Sequence, residues 1–206
     1  LITDFIMPVR VVTSTDIVHG FDDIDSFVAM NPYFGATCGR YGNRIKNGRF
    51  TIGGRQFQVD RNEGSNHLHG GRSGFDRKVW AALADESLNA VTFTMTSPDG
   101  EQGFPGAVHI STTYRLTDDN VLAIRMRGST DAPTLLNAVH HTYWNLAGQG
   151  AGDVRSQELQ LFSDFYTPID NELITTGEVL SVAGTAFDFR STKPIGRDID
   201  TLGDVG

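Results

Sequence analysis

The sequence predicts an all-β protein whose antiparallel strands pack as a sandwich or a barrel. Short segments alternate apolar and polar residues, which is typical of strands with one buried face. These segments recur about every ten residues, with turn-forming residues between them. The 23 glycines and the lack of a convincing amphipathic helix agree with a chain built from strands and turns.

Two hairpins are the clearest predicted elements. Residues 49–59 alternate on both sides of Gly53-Gly54, a pair that accepts the positive φ angles of a tight turn. Residues 108–116 and 122–126 alternate in the same way. The segment between them contains Asp118-Asp119-Asn120, a strong turn signal. Each pair of segments is therefore expected to fold as neighbouring antiparallel strands.

We expect residues 1–206 to form a single domain, because no repeat, low-complexity tract or linker divides them. Further strands are predicted at residues 91–95 and 159–161. Turn-rich loops are expected over residues 98–106 and 147–153, and loops of this kind often carry function in β folds.

Composition limits the classes of function. The chain has 17 basic and 25 acidic residues and a net charge of −8, whereas nucleic-acid binding needs a basic surface. No nucleic-acid partner is expected, and the charge suits a neutral ligand. No apolar run approaches the length of about 20 residues that crosses a bilayer, so no membrane association is expected. The single cysteine, Cys38, excludes an internal disulfide and is expected to be a packed core residue. These features favour a reducing compartment and a cytoplasmic location.

Four of the six histidines lie in two clusters, His67/His69 and His140/His141. On a strand, His67 and His69 would face the same way, and their spacing also suits a metal site with a third ligand from elsewhere. A metal site is disfavoured because no carboxylate follows at short spacing: the next acidic residue after His69 is Asp76. His140 and His141 would point to opposite faces, and spacing does not decide which one enters a pocket. Alternatively, backbone hydrogen bonds simply hold His67 and His69 in loops.

Arg44 and Asn43 offer guanidinium and amide donors, which suit sugar hydroxyls. Equally, Arg44 could be a turn arginine paired with an acid. Trp80, Trp144 and Tyr143 could stack on a sugar ring, although each alone is more often a core residue. No nucleotide-binding motif and no serine nucleophile elbow is present in the sequence.

Five segments together carry a specific set of motifs. They are Asn31-Pro32-Tyr33-Phe34-Gly35-Ala36-Thr37-Cys38-Gly39-Arg40-Tyr41-Gly42-Asn43-Arg44-Ile45; Asn66-His67-Leu68-His69-Gly70-Gly71 with Gly74-Phe75 and Trp80; Ser97-Pro98-Asp99-Gly100-Glu101-Gln102-Gly103-Phe104-Pro105-Gly106; His141-Thr142-Tyr143-Trp144-Asn145-Leu146; and Tyr166-Thr167-Pro168-Ile169-Asp170 through Thr176-Gly177-Glu178 to Gly184-Thr185-Ala186-Phe187-Asp188-Phe189. In order and spacing they resemble the aldose 1-epimerase (galactose mutarotase) family. The first resembles its Gly-Arg-x-x-Asn-Arg-Ile signature, and the fourth its His-[Thr/Ser]-Tyr-[Phe/Trp]-Asn-Leu signature.

The resemblance implies the family's fold, a large twisted antiparallel β-sandwich (the galactose mutarotase-like supersandwich). It implies that His141 is the general acid and that His69 hydrogen-bonds the sugar near its ring oxygen, so both are expected to be catalytic. It also implies that Arg44 and Asn43 bind sugar hydroxyls. His140 stands where the family often has asparagine, which leaves its role open.

The implied reaction interconverts the α- and β-anomers of hexoses such as galactose and glucose. A proton is delivered to the ring oxygen and another leaves the C1 hydroxyl. The ring then opens, the C1–C2 bond rotates and the ring closes on the other face. Histidine exchanges protons near neutral pH and suits the acid's part. No metal or organic cofactor is required, and the only expected partner is the monosaccharide.

The resemblance further implies a fragment, incomplete at both ends. The family's general base is a glutamate far toward the C-terminus, and Glu178 and Asp188 do not align with it. Two alternatives remain open. One is a non-catalytic sugar-binding or regulatory homologue that lacks the base. The other is a metal-dependent β-barrel enzyme that uses His67, His69 and His141.

Overall fold

A computed structural model of the chain describes residues 1–8, 14–30 and 32–203. Asn31, the first residue of the first matching segment, and residues 204–206 lie outside the described residues. The strands are β1 (Ile6–Pro8), β2 (Ser14–Asp16), β3 (Thr37–Cys38), β4 (Arg44–Ile45), β5 (Arg49–Ile52), β6 (Arg55–Gln58), β7 (His67–Leu68), β8 (Ala81–Asp85), β9 (Ala90–Ser97), β10 (Val108–Leu116), β11 (Leu122–Thr130), β12 (Val139–His140), β13 (Glu158–Leu159), β14 (Phe165–Tyr166), β15 (Leu180–Ser181) and β16 (Lys193–Pro194).

Helical structure is sparse in the part of the chain that is described. Its one α-helix is α1 (Ile24–Met30). Single 3₁₀ turns occur at Lys46–Gly48, Phe75–Arg77, Glu86–Leu88, Glu101–Gly103 and Ile199–Thr201. No helix among the described residues is long and apolar enough to cross a membrane.

The chain divides into two compact units. The first comprises Leu1 and Ala36–His141 and contains β3 to β12. The second comprises Ile2–Gly35 and Thr142–Gly206 and contains β1, β2, α1 and β13 to β16. The expectation of a single domain over residues 1–206 stays a prediction.

A four-stranded antiparallel sheet is the largest element of the first unit, with the strand order β11-β10-β9-β8. Its hairpin β10–β11 confirms the strands predicted at 108–116 and 122–126, and Tyr114 lies opposite Ile124. Inside the turn, the Thr117 N–H donates to the Val121 carbonyl over 3.0 Å. Val108, Ile110, Thr112 and Tyr114 are buried, as period-two alternation requires for one covered face.

The predicted hairpin at residues 49–59 is also confirmed, as β5 paired with β6. Gly53 and Gly54 have φ angles of 56° and 77°. Two successive positive φ angles match the right-handed twist of the flanking strands, which is why glycine is favoured at both positions. With the two hairpins, the antiparallel pairing confirms the predicted all-β class.

Two short strand pairs connect distant parts of the first unit. In β4–β7, Arg44 lies opposite Leu68. In β12–β3, Val139 lies opposite Cys38. Apolar clusters pack beside these pairs. One cluster contains Ile45, Val59 and Phe104, and the other contains Phe75, Val108 and Ile110.

The second unit contains a helix that the sequence pattern does not predict. Asp23 caps α1, because its carboxylate accepts hydrogen bonds from the backbone N–H and the hydroxyl of Ser26, each over 2.8 Å. Phe27 is buried, whereas most other described residues of α1 are exposed. One buried position among residues 24–29, whose burial the structure describes, produces no amphipathic period, so the prediction missed this helix.

The loop predicted at residues 147–153 is present and is held by Asn145, which is fully buried. The Asn145 side chain accepts from the Ala147 N–H and donates to the Gly152 carbonyl, both over 3.1 Å. The strand predicted at residues 159–161 is shorter than expected, since β13 ends at Leu159.

Arg40 holds the other predicted loop, residues 98–106, from inside the first unit. Its side chain is 2% exposed, and its guanidinium makes five hydrogen bonds of 2.6–3.1 Å to oxygen atoms at both ends of the loop. The acceptors are the Ser97 hydroxyl and the carbonyls of Ser97, Pro98, Pro105 and Gly106. A buried charge is tolerated when its donors are satisfied in this way. Arg40 therefore fixes the shape of the loop.

Replacing Arg40 is expected to destabilise the protein strongly. Arg40→Met keeps the apolar stem but leaves five buried or partly buried oxygen atoms without their donor. We expect a loss of about 3–5 kcal/mol in the free energy of unfolding, measured by urea denaturation. Arg125→Met is the control, because Arg125 is exposed on β11. Its expected change is within about 0.5 kcal/mol. Similar losses in the two variants would contradict the role of Arg40.

Candidate active site

The two predicted catalytic histidines lie next to each other in the first unit. Their rings are 4.9 Å apart between centroids and nearly perpendicular, at 88°. His141 directly follows β12, and its N–H donates to the Ala36 carbonyl over 2.9 Å. His69 directly follows β7. The two short strand pairs thus bring together residues that are 72 positions apart in the sequence.

His69 does not continue the strand that precedes it. Its φ angle is 51°, in the left-handed region, and β7 ends at Leu68. The condition under which His67 and His69 would face the same way, one strand through both residues, is therefore not met.

His67 belongs to the core. Its side chain has no exposure, and its ring lies edge-on to Phe104 at 5.2 Å. The Nδ1 atom is 2.7 Å from the Asp60 carbonyl, which can only accept, so Nδ1 carries the proton. Burial lowers the pKa of His67. Of this pair, then, His69 is the member beside His141, as the resemblance implied.

Asn43 and His69 hold each other through two hydrogen bonds. The Asn43 N–H donates to Nδ1 of His69 over 3.0 Å, and the His69 N–H donates to the Asn43 carbonyl over 3.1 Å. Asn43 also has a positive φ, of 66°. Because Nδ1 accepts a hydrogen bond, the proton of the neutral ring must lie on Nε2. The backbone therefore selects the tautomer of His69.

Electrostatics keep His69 neutral. Burial, followed by the nearby His141 and Arg44, lowers its pKa to about 4, although Glu63 acts in the opposite direction. At neutral pH the ring is thus an uncharged donor through Nε2–H. A ring of this kind can hydrogen-bond a sugar oxygen without delivering its own proton.

Arg44 forms an ion pair with Glu63, a partner that the sequence alone does not identify. Its Nε and Nη2 atoms donate to the two carboxylate oxygens of Glu63 over 2.5 and 2.6 Å. Its Nη1 donates to the Asn43 side-chain oxygen over 3.3 Å. The alternative of a turn arginine paired with an acid is therefore present, although the side chain is only 16% exposed. The pairing sets Arg44 and Asn43 beside His69, so three predicted site residues form one hydrogen-bonded group.

His140 faces away from this group, toward Tyr114. The Tyr114 hydroxyl lies 3.4 Å from Nδ1 of His140 and 3.4 Å from the Thr37 hydroxyl. The pKa of His140 is lowered to about 4, mainly because the ring is buried. Burial is also the main reason why the pKa of Tyr114 is raised. The His140 ring therefore contacts Tyr114, whereas the His141 ring lies against His69.

The aromatic candidates for sugar stacking have structural contacts. In the first unit, Trp80 donates from Nε1 to the Phe75 carbonyl over 3.0 Å and packs against the apolar cluster around Phe75. In the second unit, Trp144 lies edge-on to Phe5 at 5.7 Å. Tyr143 is 44% exposed, and its ring lies 5.0 Å from another ring of the same unit.

Two further expectations concern metal and thiol chemistry. Across residues 1–8, 14–30 and 32–203, no group of three or more His, Cys, Asp or Glu residues is arranged to hold a metal ion. Cys38 is fully buried, which confirms its predicted packing role. Burial, reinforced by Asp76, raises the pKa of the Cys38 thiol, so the reactive thiolate is disfavoured.

Close backbone contact fixes the segment that carries His69. Gly70 has a φ angle of 95°, and a Cβ atom at this position would lie 1.6 Å from the Gly39 carbonyl oxygen. Only glycine allows the chain after His69 to pass so near the residue before Arg40. The core arginine and the site histidine therefore sit on touching segments.

Comparison with known proteins agrees with the motifs. A sequence model of the family described as aldose 1-epimerase matches residues 1–204. The galactose mutarotase of Bos taurus is 40% identical over 186 residues, which cover 90% of this chain and 54% of that protein. The aldose 1-epimerase of Haemophilus influenzae is 45% identical over 177 residues, or 85% of this chain and 51% of that protein.

Solved structures are similar as well. A crystal structure described as an aldose epimerase homologue from C. elegans has a TM-score of 0.89 and 34% identity, and the match covers 95% of this chain and 60% of that one. A structure described as galactose 1-epimerase from Lactobacillus acidophilus has a TM-score of 0.80 and 32% identity, covering 88% and 54%. These neighbours confirm the predicted mutarotase-like β-sandwich class.

The chain has the all-β fold of the mutarotases, and two of its histidines, His69 and His141, are neighbours. It belongs to the aldose 1-epimerase family, since the family model covers nearly all of its residues. The chain spans about half the length of the curated relatives that it matches.

Substituting Gly70 tests the close contact beside His69. Gly70→Ala is expected to lower the free energy of unfolding by more than about 2 kcal/mol, because the new methyl overlaps the Gly39 carbonyl. Gly64→Ala is the control: Gly64 also has a positive φ, of 55°, but no atom lies within 4 Å of the added Cβ. Its expected cost is only the backbone strain, about 1 kcal/mol. Equal losses in urea denaturation would contradict the steric argument.

Nuclear magnetic resonance tests the state of His69. We expect the Nε2–H tautomer and a titration midpoint near pH 4, read from the ¹⁵N shifts of the imidazole. His69→Gln assigns the signal by removing it. A midpoint near the ordinary value of 6.5, or a proton on Nδ1, would contradict the described hydrogen bond from Asn43.

Proposed function

We propose that the protein is an aldose 1-epimerase that interconverts the α- and β-anomers of hexoses such as galactose and glucose. The observation that carries the proposal is the pairing of His69 with His141 beside Arg44 and Asn43. Membership of the family supports the reaction class, and two of the similar proteins named above are a galactose mutarotase and an aldose 1-epimerase.

The two histidines have different parts in this proposal. His141 is the general acid that gives a proton to the ring oxygen as the ring opens. His69 donates a hydrogen bond from Nε2 and stays neutral, so it orients the sugar without competing as a proton source. A positioned acid of this kind contributes about 10²–10⁴-fold to a rate.

Arg44 and Asn43 bind the sugar hydroxyls. Both side chains offer N–H donors. At neutral pH neither side chain can act as the base that takes the proton from the C1 hydroxyl. Contacts at several hydroxyls hold the ring oxygen near the acid, and correct placement of reacting groups is itself a large part of catalysis.

The second proton, from the C1 hydroxyl, needs a carboxylate base. The family resemblance assigns this part to a C-terminal glutamate, and none of the matching segments supplies it in our proposal. The alternative, a non-catalytic sugar-binding protein that lacks this base, is less favoured because the relatives named above carry enzyme names. A cytoplasmic location stays a prediction, which cell fractionation would check.

Polarimetry tests the proposed reaction. Freshly dissolved α-D-glucose and α-D-galactose are followed with and without the protein, and we expect the optical rotation to reach equilibrium faster with it. His141→Ala is expected to lower the rate by about 10²–10⁴-fold, because the ring oxygen loses its acid. The control is His109→Gln, since His109 is exposed on β10 and bonds Thr96 over 2.8 Å.

Each result of the assay has a distinct meaning. Equal rates for His141→Ala and the unchanged protein would contradict the assigned acid. Sugar binding by calorimetry without any acceleration would support the non-catalytic alternative. A protein that neither binds the sugars nor accelerates their mutarotation would contradict the proposal.

A further inference from the structure

Glu63 makes the closest polar contacts to the guanidinium of Arg44. Both carboxylate oxygens accept from it, over 2.5 and 2.6 Å, in the two-point geometry that fixes the plane of an arginine head group. The Arg44 side chain is 16% exposed and that of Glu63 is 37% exposed. Because the pair is largely removed from solvent on the arginine side, its geometry is less weakened by water than that of a surface ion pair.

Glu63 is itself held in place by a closed turn. Its backbone pairs with Asn66 in both directions, over 3.2 and 2.8 Å, and Gly64 supplies the positive φ of the turn. Asn66 is buried, and its side-chain oxygen accepts from the Asn47 N–H over 2.9 Å. The carboxylate therefore stands on an anchored piece of backbone.

A line of hydrogen bonds runs from Glu63 to the catalytic pair. Arg44 donates to the Asn43 side chain, and the Asn43 N–H donates to the His69 ring, which lies against His141. Of the five guanidinium N–H groups, three serve Glu63 and Asn43. The other two N–H groups of the guanidinium can donate to a sugar hydroxyl.

We propose that Glu63 is a positioning residue of the sugar site, which sets the plane of the Arg44 guanidinium so that its remaining N–H groups meet a sugar hydroxyl. The inference rests on the proposed function. Without Glu63, Arg44 samples many rotamers, and ordering its long side chain on binding weakens affinity. The role differs from that of His141, because Glu63 acts through Arg44 and transfers no proton.

Kinetics and calorimetry of Glu63→Gln test this role. Glutamine has the same size but loses the charge and one acceptor. We expect KM and the sugar Kd to rise about tenfold, while kcat changes less than about twofold, because a binding contact and not the acid is impaired. Glu86→Gln is the matched control, since Glu86 is exposed in the 3₁₀ turn that follows β8. Its sugar Kd should equal that of the unchanged protein.

A double-mutant cycle shows whether Glu63 acts through Arg44. Arg44→Met keeps the stem and removes the donors. In that background Glu63→Gln is expected to cause no further rise in the sugar Kd, since coupled partners are not additive. Additive losses, as from general damage to the fold, would overturn the inference.

Two further outcomes separate the inference from the proposed function. An unchanged Kd in Glu63→Gln, with the original protein binding and converting sugar, overturns the inference alone. An original protein that neither binds nor converts sugar overturns the proposed function and this role of Glu63 with it. If Glu63→Gln fails to fold, Glu63→Asp replaces it. That variant keeps the charge but is one methylene shorter, so its Kd is also expected to rise, and an unchanged Kd overturns the inference.

Discussion

The buried guanidinium of Arg40 is the interaction on which the first unit depends most. A charge inside a protein is costly unless its donors are satisfied, and here five acceptors come from residues 97–106. Burial lowers the pKa of Arg40, and the carboxylates of Glu101, Asp99 and Asp131 oppose this. The loop must take the one shape that supplies those acceptors. Since Arg40 lies just before Asn43, the same anchor fixes the start of the site.

Two arginines four residues apart thus have opposite tasks. Arg40 points into the core and meets mainly backbone carbonyls, whereas Arg44 lies at the site and meets the carboxylate of Glu63. The carbonyl groups that bind Arg40 are uncharged, so its positive charge is balanced only by more distant carboxylates. The positive charge of Arg44 is balanced directly by Glu63. The difference in partner explains why one residue type is a core group at position 40 and an ion-paired group beside the candidate site at position 44.

Local patterns predicted the parts of the fold that depend on local rules. Alternation and turn residues were enough for the hairpins β5–β6 and β10–β11. Spacing could not choose between His67 and His69, because that choice depends on a left-handed residue after β7 and on pairing with Asn43, 26 positions away. The family motifs made the choice. The partnership of Arg44 with a particular acid, Glu63, depends on how the turn at residues 63–66 folds back, and α1 was too short to show a period.

His67 has a consequence for how the protein tolerates acid. Its ring is fully enclosed, and its Nε2 atom has no hydrogen-bond partner among the described residues. Charging this ring would place a cation in the buried space beside Phe104, and the nearby Asp60 offsets only part of the cost of burial. Because the folded pKa lies below the ordinary value of 6.5, the contribution of His67 to stability is complete above pH 6.5 and is lost as the pH falls through the folded pKa. His69 and His140, whose pKa values are also lowered, act in the same direction. Lowering the pH from 6.5 toward these folded pKa values therefore steadily reduces the stability of this unit.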